Sequence, residues 1–183
     1  MDQRLYSFVG GTLGTWRVLD VRRVAGEPVP TVERIDVRPG WIEPIPASAR
    51  WILRGAVGHE RYVTRSERAR LAAVQPSLGR PEALQAVLIP IRKSAAWWGL
   101  AQDERRALLE DRSHHIEIGL EYLPAVARRL HHARDLGEPF DFVTWFEHAP
   151  EHERSFDELL ARLRSSEEWK YVERECELRL IRD

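Results

Sequence analysis

The chain has 183 residues, 43% of them apolar, enough for one well-buried core or two small fused subdomains. With 28 Lys and Arg against 29 Asp and Glu, the formal charge of −1 leaves no basic excess for neutralising phosphates, which argues against nucleic acid as the main partner. No apolar run approaches the roughly 18 residues of a membrane span, Met1 to Gly11 lacks the pattern of a signal peptide, and the single Cys176 excludes an intrachain disulfide or a cysteine metal cluster. A soluble cytoplasmic protein without a membrane partner is expected.

Tyr6–Val9 and Thr15–Val24 read as strands around a Gly10-Gly11 turn. Pro28 to Pro46 is proline-rich, weakly periodic, and reads mainly as a connection. Trp51–Val63 carries β-branched and aromatic residues and reads as a strand. Thr64 and Glu67 have the spacing of a capping box, which predicts a helix to about Gln75, before Pro76. Gly79 and Pro81 mark a break near mid-chain.

In the second half, Leu84–Ile91 is a mostly apolar strand, and Asp103 is a candidate N-cap for a helix over Arg105 to Tyr122 that Pro124 ends. Val126–Arg134 and Phe140–Glu147 read as strands joined by a hairpin-like segment from Asp135 to Pro139. Ser155–Glu168 forms an amphipathic helix with Phe156, Leu159, Leu160 and Leu163 inward, and Tyr171–Ile181 a closing strand. The β-α-β-β-α-β order is the ferredoxin-like motif, and the first half has a similar, less complete order. The expected fold class is α+β, with two ferredoxin-like halves, approximately 1–83 and 84–183, associating their antiparallel sheets with helices outside.

Periodicity ranks the histidines. Leu108, Asp111, His115, Ile118 and Tyr122 form a mostly apolar helical stripe, whereas Glu110, His114, Glu117 and Glu121 form a polar one. His115 therefore faces inward, either as a core histidine bonded to a carbonyl or as a ligand. His131 and His132 are strand neighbours that point to opposite faces. His59, His148 and His152 sit beside charges and read as surface residues. Without a second inward histidine a zinc site is disfavoured, but a haem needs only one protein ligand.

Arg128 shares a strand face with Val126, Leu130 and His132. A partly buried arginine serves either an internal ion pair or an anion site. Glu168, at the predicted end of the last long helix, is poorly placed against the helix dipole and is a candidate hydrogen-bond acceptor behind a ligand histidine. Trp97 and Trp98, close after Lys93, serve either packing or the wall of an aromatic cofactor.

The run Ile89-Pro90-Ile91-Arg92-Lys93-Ser94-Ala95-Ala96-Trp97-Trp98 resembles the chlorite dismutase family. So do Glu104-Arg105-Arg106, Ser113-His114-His115, Tyr122-Leu123-Pro124, the stretch from Arg134 to Phe142, Thr144-Trp145-Phe146-Glu147, and the segment from Glu167 to Glu175. The length resembles the short, dimeric branch of that family. The resemblance implies a dimeric α+β barrel, one haem b per subunit, and a homodimer that converts chlorite to chloride and dioxygen through oxoferryl haem and hypochlorite. It implies His115 as proximal iron ligand, Glu168 as acceptor for its far nitrogen, and Arg128 as the distal catalytic arginine. It also implies Lys93 near a haem propionate with Tyr62 and Val63 close by, Trp97, Trp98 and Trp145 lining or supporting the pocket, and Leu123 as an apolar distal neighbour. A coproheme decarboxylase of the same family and a non-catalytic haem sensor or carrier are the alternatives, and Arg128 weighs against both.

Overall fold

The structure, a computed structural model, describes residues 4–58 and 62–183. Eight strands among them close an antiparallel barrel: β1 (Leu5–Gly11), β2 (Trp16–Ala25), β3 (Arg34–Pro39), β4 (Ala49–Ala56), β5 (Gln85–Lys93), β6 (Val126–His132), β7 (Phe142–His148) and β8 (Val172–Arg182). Their order around the barrel is β1-β3-β2-β8-β5-β7-β6-β4. The helices are α1 (Arg65–Val74), α2 (Ala95–Gly99), α3 (Gln102–Arg106), α4 (His115–Glu121) and α5 (Glu153–Arg164). None of the described helices is long and apolar enough to cross a membrane. This is the expected fold class, an antiparallel α+β barrel with peripheral helices.

Strand alternation divides each strand of the second half into two faces. Ala86 and Leu88 of β5, Val143 and Trp145 of β7, and Cys176, Leu178 and Leu180 of β8 fill the barrel interior with Phe8, Trp16 and Ile35. On the outer face, Val87, Ile89 and Phe146 pack against Phe156, Leu159, Leu160 and Leu163 of α5. Each of those four side chains, buried as the helical spacing predicts, contributes about 2 kcal/mol by leaving water. The capping box at Thr64 is present: Glu67 N donates to Thr64 Oγ1, and Thr64 N donates to Glu67 Oε2.

Several expectations are corrected. The segment read as a connection contains β3, whose Ile35 is buried and which pairs with both β1 and β2. The strand expected over Trp51–Val63 ends at Ala56, and residues 59–61, including His59, lie outside the described residues. The single helix expected from Arg105 to Tyr122 is broken. It starts from Ala101, whose N–H donates to Glu104, widens into a π turn over Ala107–Arg112, and restarts as α4. At the break His114 has φ +51°. Glu110, expected on a solvent stripe, is buried and accepts from Ile116 N at 2.6 Å and Glu117 N at 3.3 Å, so its carboxylate caps α4. Glu168 does not end a helix. α5 stops at Arg164, and Glu168 sits in the first turn of a 3-10 segment, Glu167–Tyr171, where a carboxylate is favoured. His148 is buried and stacked on Phe156, because β7 runs one residue further than expected. His152 is half-buried.

His131 points into the barrel and His132 away from it, as alternation requires. His131 stands edge-on to Tyr6 and Phe8. Gly55 of β4 makes room for it, since a Cβ there would lie 2.5 Å from the Cβ of His131. Burial pushes the His131 imidazole down to about 4, against a bond to the Val143 carbonyl that raises it. The folded protein therefore binds this proton less readily than the unfolded chain. The stability of the neutral form is complete above about pH 6.5 and is lost as pH falls toward 4, about 2 kcal/mol of it by pH 5. His148, also lowered by burial, acts in the same sense. Urea unfolding at pH 7 and pH 5 should show a smaller loss in His131→Phe than in the native chain by about that amount; equal losses would rule the effect out.

Candidate cofactor site

A cavity of about 320 Å³ lies on the outer face of β5, β6 and β7, within the range of small-molecule sites. Ile89, Ile91, Phe142, Phe146, Leu160 and Leu163 make it mostly apolar. A few polar groups converge on it: Tyr62, Lys93, His115, Arg128 and Glu168.

His115 is the first residue of α4, set by the break at His114 and by the Glu110 cap. Its Nδ1 lies 2.7 Å from Glu168 Oε2, while Lys93 Nζ donates to Glu168 Oε1 at 2.8 Å. Glu168 N donates to Ser113 Oγ at 2.8 Å, which ties the 3-10 segment to the residue just before the break. Burial alone would raise the Glu168 carboxyl, which is 4% exposed, but His115 and Lys93 outweigh that and hold it down to about 2. An ionised carboxylate only accepts, so His115 Nδ1 carries a hydrogen, and Nε2 is the ring nitrogen not bonded to Glu168. Among the described residues Nε2 has no hydrogen-bond partner.

Trp169 stacks on the His115 ring, 6.4 Å between centroids at 18°. Its indole N–H donates to the fully buried Glu175 at 2.7 Å, and Arg164 in turn holds Glu175. Ser113, Glu110, Trp169 and Glu175 were not singled out from sequence. Ser113, Trp169 and Glu175 lie within the family-like blocks, whereas nothing local marks Glu110 as a cap.

Lys93 is buried, bonded to Glu168, and 4.5 Å from the centre of the Trp97 ring. Glu168 is thus the anionic partner that the fold itself provides for it. Trp97, 1% exposed, walls the cavity, and its Nε1 has no partner among the described residues. Tyr62 lines the cavity with φ +65°, a backbone conformation uncommon outside glycine. Arg106 donates to its carbonyl and Arg105 to its hydroxyl at 3.1 Å. Arg106 also pairs with Glu67, and its hydrogen bond holds that carboxyl down to about 2 against the opposing effect of burial. Val63 lines the cavity beside Tyr62.

Arg128 is half-buried and lines the cavity with Leu130 and His132, on the face alternation assigned it. Its carbonyl accepts from Gln75 Nε2 at 2.8 Å. Its guanidinium rests against α4, 3.6 Å from where a Cβ on Gly119 would stand.

Three residues expected to line, support or neighbour the pocket are not among those that line the cavity. Trp145 alternates with Thr144 and Phe146, so it points into the barrel against Trp16 and donates to Glu147 at 2.9 Å. Trp98 lies behind Phe142, stacked at 6.0 Å, and donates to Asp141 at 3.1 Å. Leu123 follows α4 in a turn outside the cavity wall.

Fold and cavity together define an α+β-barrel protein with one histidine, backed by a carboxylate, presented to an apolar pocket on the sheet's outer face. Residues 53–181 match the family model for chlorite dismutase. A crystal structure of a dimeric chlorite dismutase from Nitrobacter winogradskyi is 52% identical, covers 97% of this chain and 99% of that one, and superimposes with a TM-score of 0.91. Chlorite dismutase from Candidatus Nitrospira defluvii, solved with imidazole, is 29% identical over 74% of this chain and 56% of that one, with a TM-score of 0.61. A curated chlorite dismutase from Ideonella dechloratans is 37% identical over 62 residues; that match spans 34% of this chain and 20% of the relative's length. The chain belongs to the chlorite dismutase family.

Proposed function

We propose that this chain is a haem b-dependent chlorite dismutase that converts chlorite to chloride and dioxygen, as a homodimer with one haem per subunit. The observation that carries the reading is the Glu168-backed His115 on an apolar cavity that also has Arg128 in its wall. The cavity suits a haem in its donor set. His115 Nε2 offers the single neutral nitrogen ligand such a group needs, and apolar side chains suit the macrocycle. The unpartnered Trp97 Nε1 is a donor for an acidic edge.

Haem b bound there supplies the redox chemistry that breaks the chlorine–oxygen bond and joins the two oxygens. The chain's own residues supply position and field. Glu168 keeps the proton on Nδ1 of His115, which fixes the ring's tautomer and makes Nε2 more basic. Lys93 keeps Glu168 ionised, and Trp169 holds the plane of the ring. Arg128 attracts the chlorite anion and retains the charged fragments until they recombine. The apolar wall limits water and side oxidation.

An oxygen electrode tests the function. Haem-loaded protein given chlorite should evolve dioxygen; no oxygen above the level of free haem, or decarboxylation of iron coproporphyrin in its place, would overturn the reading. Glu168→Gln should weaken haem binding roughly 10–100-fold and change the ferric spectrum, because the amide is a poorer acceptor for Nδ1–H. Haem titration of the apoprotein measures this, with circular dichroism as a check on folding, since the change also leaves Lys93 without its counter-charge. Unchanged affinity and spectrum would remove Glu168 from this role.

A further inference from the structure

The opposite face of β6 and β7 holds a second group of polar side chains, at one mouth of the barrel. Arg129 and His131 of β6, Glu147 of β7, Arg182 of β8 and Tyr6 of β1 line one cleft there. Arg129 also borders the haem cavity, whereas Tyr6, His131, Glu147 and Arg182 do not, and barrel mouths are recurrent ligand sites.

Charge in the cleft is unbalanced. Glu147 is buried with both oxygens engaged: Oε1 accepts from Trp145 Nε1 at 2.9 Å and Oε2 from Gly79 N at 2.6 Å. Arg182 reaches Glu147 only at 3.9 Å. Arg129 donates to the Tyr6 hydroxyl at 3.1 Å and has no carboxylate within 4.0 Å among the described residues. Two guanidinium groups thus face one carboxylate already occupied by other donors, and one negative charge would balance them.

His131 adds a more specific demand. It is 1% exposed, and its Nδ1 lies 3.0 Å from the Val143 carbonyl. A carbonyl only accepts, so Nδ1 carries the hydrogen and Nε2 is a bare acceptor. Nε2 is buried without a partner among the described residues. Burial disfavours protonating this ring, which keeps Nε2 an acceptor at neutral pH. A ligand offering only carboxylate oxygens would set lone pair against lone pair there, whereas a ligand with an O–H satisfies it.

We propose that this barrel mouth binds a small monoanionic oxyanion that carries a hydroxyl hydrogen, a short hydroxycarboxylate or bicarbonate. The anionic oxygens lie between Arg129 and Arg182, and the hydroxyl donates to His131 Nε2. The cleft shares Arg129 with the wall of the haem cavity, but His131 and Arg182 lie outside that cavity, and the proposal does not depend on the cavity's assignment.

Isothermal titration calorimetry of the haem-loaded protein with glycolate, bicarbonate and acetate, in separate arms, tests this, with the haem absorption spectrum recorded alongside. Glycolate or bicarbonate should bind saturably without moving the haem spectrum, and which of them binds more tightly identifies the source. Acetate, matched to glycolate but lacking the hydroxyl, should bind about tenfold more weakly. Arg182→Gln, at a partly exposed position over the Trp16 ring, should keep the fold by circular dichroism and lose about tenfold in affinity for whichever ligand binds. His131→Phe should bind acetate and glycolate equally. Absence of saturable binding by glycolate and bicarbonate would mean the cleft holds only water and would overturn the proposal. So would equal affinity for acetate and glycolate in the native protein, or unchanged binding in Arg182→Gln. If His131→Phe fails to fold, the acetate comparison and Arg182→Gln still decide.

Discussion

His115→Ala should fold and lose its ordinary haem ligation. The loss of affinity should exceed the roughly 10–100-fold that follows removal of a group behind a metal-bound histidine, because here the carboxylate-backed imidazole itself is gone. Folding should survive because Glu168 keeps its second partner: Lys93 Nζ remains 2.8 Å from Oε1, so no buried carboxylate is left unpaired. The α4 turn also keeps its cap, since Glu110 bonds the main-chain N–H groups of Ile116 and Glu117 and not the imidazole. Ligation and stability are therefore separable at this position. Haem titration of the apoprotein with circular dichroism in parallel reads both. Added imidazole should partly restore the native ferric spectrum, by occupying the space the truncation leaves between Glu168 and Trp169. A variant whose ferric spectrum matches that of the native protein without imidazole would show that iron is held elsewhere.

How His115 was reached shows what patterning can and cannot see. Helical spacing places His115 inward and His114 outward, and the structure has His114 exposed and His115 on the cavity. The regular helix behind that reasoning does not exist. A π turn at Ala107–Arg112 shifts the phase, His114 turns left-handed, and buried Glu110 restarts the helix. Periodicity reads burial from a fixed repeat, so it cannot register a carboxylate that leaves its stripe to cap main-chain groups six and seven residues on. β3 escaped notice for a related reason. Its six residues lie in a proline-rich stretch, and only pairing with β1 on one side and β2 on the other makes them a strand.

Strand alternation holds more firmly, because pairing on both sides fixes the parity of each residue. It placed Arg128 on one face of β6 and separated His131 from His132. The same rule puts Trp145 on the face of Val143 and Glu147, opposite Phe142, Thr144 and Phe146, and so inside the barrel. Trp145 therefore reaches the cavity only through the strand that carries Thr144 and Phe146, as a support and not as a lining residue. Lys93 and Glu168 lie 75 positions apart, and nothing local marks them as partners. Their bond depends on β5 ending where the 3-10 segment packs down through Ser113. The charges flanking His148 suggested solvent, yet one further residue of β7 pairing carries it under Phe156.

Arg128→Ala should leave haem binding nearly unchanged and cost about 10²–10³-fold in chlorite turnover, the range seen when one preorganised donor to a developing anion is removed. The expectation rests on placement. Arg128 lies in the cavity wall on β6, on a different element from His115, Glu168 and Lys93, and its main-chain bond to Gln75 does not need the side chain. Removing the guanidinium takes away the positive field that concentrates chlorite and holds the hypochlorite fragment until the oxygens join. Escaped hypochlorite attacks haem and protein, so the variant should also bleach faster per turnover and yield less oxygen per chlorite. Arg128→Lys separates charge from geometry. It keeps the cation and loses the planar fork, so its turnover should fall between those of the native protein and the alanine variant. Stopped-flow bleaching, oxygen yield and a haem titration on the three proteins give the answer together. Native turnover and oxygen yield in Arg128→Ala, with haem bound, would remove the arginine from the chemistry and leave it a structural role such as its packing against α4 at Gly119.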